Sequence, residues 1–458
     1  MTLKPLHKTV LIIAGPAAVE LILTSLTSLA DTIMVGKLGA YAISAVGLTN
    51  QPRFIMLAVF IALNVGATAL VARFKGQGNN AEAEIVTAQA VLLTTGMAAL
   101  LTVPGILFAR EMVLFMGAQP DTVEAATAYF RILMIGFVPT AIPLAITALL
   151  RGVGETRISM RYNITANVVN IIFNYLLIYG KFGFPRLEVR GAAIATVIGN
   201  CAACAMALYT AFGGRAKSDP GRASNRASNF IRLRFRADTL RPNFPMLKRI
   251  IRIGFPSAAE QFALRVGLLM FTVTVTSLGT AVFAAHQIVL SVLNLSFVNG
   301  QAFGIAATSL TGQALGRGEP ESAITSSAAC RKIGSLISTS MGVLMLVFRY
   351  QLMGLFTVDP EIIALGAKVM IFAACVQPFQ SSFQIYAGAL RGAGDSLYPA
   401  ISLAAGILIV RPLLSYLGVS VLGLGLIGAW LALFLDQTVR FFLIRVRFAS
   451  GKWVHARV

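Results

Sequence analysis

The chain repeats itself at one fixed distance. PAAVE at 16–20 is matched by PSAAE at 256–260, and Leu38-Gly39 by Leu278-Gly279. Thr68, Gly76 and Gly78 are matched by Thr308, Gly316 and Gly318, and Leu150, Arg151, Gly152 and Gly154 by Leu390, Arg391, Gly392 and Gly394. Every pair is 240 residues apart. One offset shared by well-spaced motifs marks a duplicated unit, so the second half must take the fold of the first.

Hydropathy says what that unit is. A membrane helix needs about twenty predominantly apolar residues, and such windows fall at 10–35, 45–71, 85–109, 125–150, 158–180, 191–213, 250–278, 281–311, 324–348, 362–390, 397–420 and 424–448. The expected fold is an all-α polytopic membrane protein with twelve transmembrane helices in two pseudo-symmetric six-helix lobes. The N-lobe would span 1–212, a basic linker 213–249 and the C-lobe 250–458. Six spans per copy give both copies the same orientation, hence parallel repeats about an axis along the membrane normal. Such repeats are typical of alternating-access transporters, with substrate handled where the repeats meet. A passive channel or an inert duplicated scaffold fits less well.

The residues are 57% hydrophobic and only 12% charged, against about 25% charged in soluble domains, which argues against an aqueous enzyme. A net charge of +20 would suggest nucleic acid in a soluble protein. Here the cations sit mostly in loops between apolar windows, so no nucleic-acid partner is expected. Residues 213–252 hold eleven Lys and Arg against Asp219 and Asp238, and by the positive-inside rule that stretch is cytoplasmic. Both termini are then expected to face the cytoplasm too. Cys201 and Cys204 form a C-x-x-C inside an apolar helix with no second pair, and the three histidines are dispersed. No metal site or cofactor is expected, and no nucleotide-binding motif is present. The paired catalytic set of an intramembrane enzyme is not evident either.

Polar residues inside apolar windows mark where the chemistry sits. The first window carries Glu20, Thr24, Thr27 and Asp31, spaced 4, 3 and 4, and eleven steps of about 100° return a helix to nearly the same face. A charged side chain at the centre of a membrane helix costs roughly 2.5–3.5 kcal/mol on insertion scales, so such residues survive where they line a polar path or move an ion. The fifth window has Asn163, Asn167, Asn170 and Asn174 at the same spacing, and the sixth has Thr196 and Asn200. At the repeat positions of Asp31, Asn170 and Asn174 the second half has Phe271, Val410 and Leu414. The ion site is therefore expected in the first lobe. Burial favours the uncharged form of a carboxyl, which suits reversible protonation, and the surrounding oxygens equally suit a weak sodium site at Asp31. Hydrogen bonding between helices is the plainer use of an asparagine stripe.

Glu20 and Glu260 each follow a proline by four residues. Each could bond backbone groups freed by Pro16 or Pro256, or bind a cationic substrate directly. Arg265 is an intramembrane cation that does not share a helix face with Glu260. In the second half Gln287, Gln380 and Gln384, with Met and Phe nearby, suit a cavity that re-packs around varied drugs. The RGxG turns and the glycine pairs lack the strand and the GK[ST] of a phosphate cradle and read as tight turns.

The duplicated halves, the ADTIMVGKLGAYAISAVG passage after the first span, the paired RGxG[ED] turns and the AAHQI of the eighth span resemble the multidrug and toxic compound extrusion (MATE) family, more its bacterial DinF-like branch than its NorM branch. The resemblance runs through all twelve spans. It implies two six-helix lobes and antiport of organic compounds against protons or sodium. It also implies a cation-coupling site at Asp31, Asn170, Asn174 and Thr196. Some members have Asp at the place of Asn174, and the NorM-like branch has an acidic residue at the place of Gln380. Both are amides here, which weakens a sodium site and argues against a second-lobe cation site.

The resulting expectation is a multidrug efflux antiporter for organic, mostly cationic, compounds that works as a monomer in the lipid bilayer without cofactor. Coupling would be to protons or to sodium. Asp31, Asn170, Asn174 and Thr196 would couple the cation, and Glu20, Asn163, Asn167, Asn200, Glu260, Gln287, Gln380 and Gln384 would line the substrate cavity. The rival within the same superfamily is a lipid-linked oligosaccharide flippase, which twelve spans rather than fourteen argue against.

Overall fold

The structure is a computed structural model that describes residues 3–213 and 241–456. The first repeat forms α1 (Leu3–Gly36), α2 (Ala40–Gly76), α3 (Asn80–Leu107), α4 (Ala109–Phe115), α5 (Pro120–Ile135), α6 (Phe137–Gly152), α7 (Thr156–Tyr179) and α8 (Glu188–Leu208). The second forms α9 (Phe244–Thr276), α10 (Thr280–Gly316), α11 (Pro320–Val347), α12 (Arg349–Gly354), α13 (Pro360–Gly392), α14 (Leu397–Ala404), α15 (Arg411–Tyr416) and α16 (Gly425–Ala449). π-Helical stretches at Ala405–Val410 and Leu417–Val421 join α14 and α15 into one broken passage. Even the short helices repeat, α12 starting 240 residues after α4. No strand occurs among the described residues.

Among the described residues ten helices are long and apolar enough to cross a membrane, and α5 with α6, bent by 51°, make an eleventh passage. The remaining expected window, 158–180, is α7. Its 24 residues reach about 36 Å at 1.5 Å per residue, but the four asparagines lower its hydropathy. Residues 214–240 of the expected linker lie outside the described residues. Residues 244–249, also assigned to the linker from sequence, are instead the first turns of α9.

The chain divides into two compact units, Met1–Ala18 with Phe255–Val458, and Val19–Gly254. The unit holding the first repeat begins inside α1 and ends inside α9, close to Pro16 and Pro256. Its core is built on α2, α3, α5, α6 and α8, around Phe60, Phe130, Met134 and Phe137. In the other unit Leu6, Val10, Ile13 and Ala14 of α1 pack with Phe303, Ala306 and Ile385, and a second cluster gathers Phe271, Leu293, Met370 and Trp430.

The repeated motifs are close packing contacts. The Thr68 hydroxyl donates to the Ala148 carbonyl at 3.0 Å, and the Thr308 hydroxyl to the Gly388 carbonyl at 2.8 Å. A Cβ on Gly152 or Gly392 would overlap the carbonyl oxygen of Thr68 or Thr308, so glycine is what lets those helices cross. Gly154 and Gly394, at φ 87° and 92°, end α6 and α13. Glu155 N–H donates to the Leu150 carbonyl and Asp395 N–H to that of Leu390, which is the pairing of a left-handed C-terminal cap. The RGxG motif thus ends a helix with its arginine in the last turn.

Candidate functional site in the first repeat

The polar faces of α1 and α7 meet rung by rung. Asn163 Nδ2 donates to Glu20 Oε1 at 2.7 Å, Asn167 Nδ2 to Thr24 Oγ1 at 3.4 Å, and Asn174 Nδ2 to Asp31 Oδ1 at 2.5 Å. Each pair is 143 residues apart in sequence, so the helices run parallel in one register. Equal 4, 3, 4 spacing on both makes this happen, since equal steps along two helices keep rungs level.

At one end of the ladder Glu20 is buried and fully engaged. Arg151 Nη2 and Asn163 Nδ2 donate to its Oε1 at 2.5 and 2.7 Å, and the Ser159 hydroxyl to its Oε2 at 2.7 Å. These donors are side chains of α6 and α7 and reach both oxygens, and the RGxG arginine is the carboxylate's counter-ion. At the other end Asp31 is half-buried and has no salt bridge among the described residues. Arg53 of α2, a further intramembrane cation, is close enough for its charge to act on it.

The four residues expected around the ion do converge. The Asn170 amide lies between Asp31 and Thr196. In the orientation that satisfies both ends, its nitrogen donates to Asp31 Oδ1 at 2.9 Å and its oxygen accepts the Thr196 hydroxyl at 3.2 Å. Asn174 is 1% exposed, and its Oδ1 is buried without a partner. Both amide nitrogens face the Asp31 carboxylate, while the Asn170 oxygen faces Thr196, so the cluster carries one negative charge held by neutral donors. As it stands that arrangement suits a carboxylate that takes up a proton, and an alkali cation would need the amides to turn their oxygens toward Asp31. Among the described residues no group of three or more His, Cys, Asp or Glu could hold a metal.

Other expected cavity residues make contacts of their own. Asn200 donates to the Thr140 hydroxyl at 2.8 Å and so ties α8 to α6. Gln380 and Gln384 lie with Ser296, Ser338, Gln377 and Ser381 around a narrow crevice that has no room for a water molecule. Ser296 donates to Gln377 there, while Gln380 Oε1 and Ser381 Oγ are buried without partners. Gln287 is exposed and does not line that crevice.

The second repeat is more charged than the sequence reading allowed. Glu260 Oε1 takes Arg391 Nη2 at 2.5 Å, repeating Glu20 with Arg151. The counterparts of Ser159 and Asn163 are Pro399 and Leu403, and Glu260 Oε2 is buried with no partner. Asp436 of α16 is fully buried between Arg411 and Arg440, at 2.7 and 2.5 Å. The signal was present: three charges inside apolar windows, two of them at i and i+4.

An all-α chain with apolar spans and a carboxylate on a polar ladder belongs among polytopic membrane transporters. Comparison with known proteins agrees. The MatE family model matches residues 16–176 and again 256–417, so the chain belongs to that family and is a transporter rather than an enzyme. A Thermotoga maritima protein named probable multidrug resistance protein NorM is 30% identical over 448 residues, covering 98% of this chain and 93% of its own. The uncharacterized transporter YisQ of Bacillus subtilis is 25% identical, covering 98% and 96%. A solved structure described as the outward-facing conformation of a multidrug resistance MATE family transporter superposes with a TM-score of 0.87 at 22% identity, over 98% of this chain and 97% of that one.

Proposed function

We propose that the chain is a multidrug efflux antiporter of the bacterial inner membrane, exporting organic, mostly cationic, compounds in exchange for protons by alternating access. The relatives named multidrug resistance proteins support drug efflux. The coupling role rests on one observation: Asp31 lies half-buried among Asn170, Asn174 and Thr196 in an apolar helix, with no ion-pair partner among the described residues. A carboxylate held only by neutral donors changes charge when a proton arrives, whereas Glu20 is already neutralised by Arg151. Loading of Asp31 from outside drives conversion to the inward-facing state, and cytoplasmic substrate then binds and is carried out. A membrane potential contributes about 2.3 kcal/mol per charge per 100 mV, enough to sustain accumulation. Both termini and the basic linker are cytoplasmic in this reading, the working unit is a monomer, and no cofactor takes part.

Ethidium efflux from energised inverted vesicles tests it, with proton and sodium gradients imposed separately. Asp31→Asn is expected to express normally and to lose gradient-driven efflux, and the gradient that drives the parent names the ion. Normal pumping by Asp31→Asn refutes the assignment.

A further inference from the structure

In the second repeat Phe271 of α9 stands where Asp31 stands on α1, and Val410 and Leu414 stand where Asn170 and Asn174 stand on α7. A cation is nevertheless built in there. The guanidinium carbon of Arg411 lies 5.2 Å from the centre of the Phe271 ring. Arg411 donates through Nε to Asp436 Oδ2 at 2.8 Å, with its Nη2 at 2.7 Å from the same oxygen. Arg440 holds Asp436 from the next turn of α16, Nε to Oδ1 at 2.6 Å and Nη2 to Oδ2 at 2.5 Å. Asp436 is 0% exposed and the two arginines 4% and 3%. Gly406, in the π-helical stretch before Arg411, makes room for this group, since a Cβ there would overlap Asp436 and Arg440.

Two guanidiniums against one carboxylate leave a surplus positive charge out of water. A desolvated cation is attracted to the face of an aromatic ring, so Phe271 is a suitable floor for Arg411. An arginine does not lose its proton in a protein, and a side chain cannot diffuse away. This cation therefore cannot exchange.

We propose that Arg411 is the resident cation of the second repeat. Covalently tethered, it stands where the first repeat takes up its exchangeable cation at Asp31, so only the first repeat exchanges a cation and one cation moves per transport cycle. Phe271, Arg411 and Asp436 are the second repeat's permanently loaded version of the Asp31 cluster. This rests on the coupling role given to Asp31 above.

The experiment counts cations moved per substrate molecule in proteoliposomes, under a proton gradient in one arm and a sodium gradient in the other. It compares the parent, Asp31→Asn, Phe271→Asp and the double variant Phe271→Asp with Arg411→Met. The parent is expected to move one cation. Phe271→Asp should leave the count at one, because Arg411 neutralises the new carboxylate. Removing Arg411 as well frees that carboxylate, and the count should double. A parental count of two, a doubled count in Phe271→Asp alone, or an unchanged count in a folded double variant overturns the proposal. If the double variant does not fold, the parent and Phe271→Asp decide. Coupled flux surviving in Asp31→Asn brings down the reading of Asp31 itself, whereas a parental count of two with a silent Asp31→Asn overturns the tethered cation alone.

Discussion

Two ion pairs related by the repeat should respond unequally to the same substitution. Arg151→Met removes one of three donors from Glu20 and leaves the Ser159 hydroxyl and the Asn163 amide in place, each at 2.7 Å. Arg391→Met leaves Glu260 with no described donor, because Oε1 loses its partner and Oε2 has none. Removing one partner of a buried pair costs about 3–5 kcal/mol, and a hydrogen bond to a charged group contributes about 1.5–3 kcal/mol. Glu20 keeps two such bonds. Arg151→Met is therefore expected at or below about 3 kcal/mol, and Arg391→Met at least about 2 kcal/mol beyond it. The native thiols report unfolding: Cys204 and Cys330 are buried, while Cys201 and Cys375 are exposed. With the exposed pair replaced by serine, thiol labelling on heating in detergent follows the buried pair. Adding Ser159→Ala and Asn163→Leu to Arg151→Met should then remove the difference between the repeats. Equal losses in the two single variants, or a larger loss at Arg151, would refute this accounting.

Three further substitutions probe the second repeat. Asp436→Asn strands two buried guanidiniums and should cost about 3–5 kcal/mol or more, seen as loss of monodisperse protein in detergent. Arg440→Met keeps Arg411 paired with Asp436 and should be the milder change. Gly388→Ala places a Cβ against the Gly304 carbonyl oxygen where α10 and α13 cross. Overpacking of this kind costs about 1–3 kcal/mol, and the thiol-labelling midpoint should fall while Ala148→Gly, at the repeat position, changes it far less.

Window length and the 240-residue offset were enough to read the helices, the duplication and the membrane setting, because a span in lipid must satisfy its own backbone and so leaves a long apolar signature. The Asp31 cluster was legible for a related reason. Polar residues at helical spacing inside an apolar span share a face, and the family resemblance singled out Asn170, Asn174 and Thr196 as the partners of Asp31. Spacing within one helix carries no information about which side chain on a distant helix will meet it. Folding alone decided that Arg151 and Arg391 neutralise Glu20 and Glu260, that the Glu20 and Asp31 ends of one ladder differ in charge, and that Arg411 and Arg440 converge on Asp436 beneath Phe271. Those contacts join residues 131 apart for each Glu–Arg pair and 25 for Arg411 with Asp436, and they exist only because helix packing brings charges together that lipid would not leave unpaired.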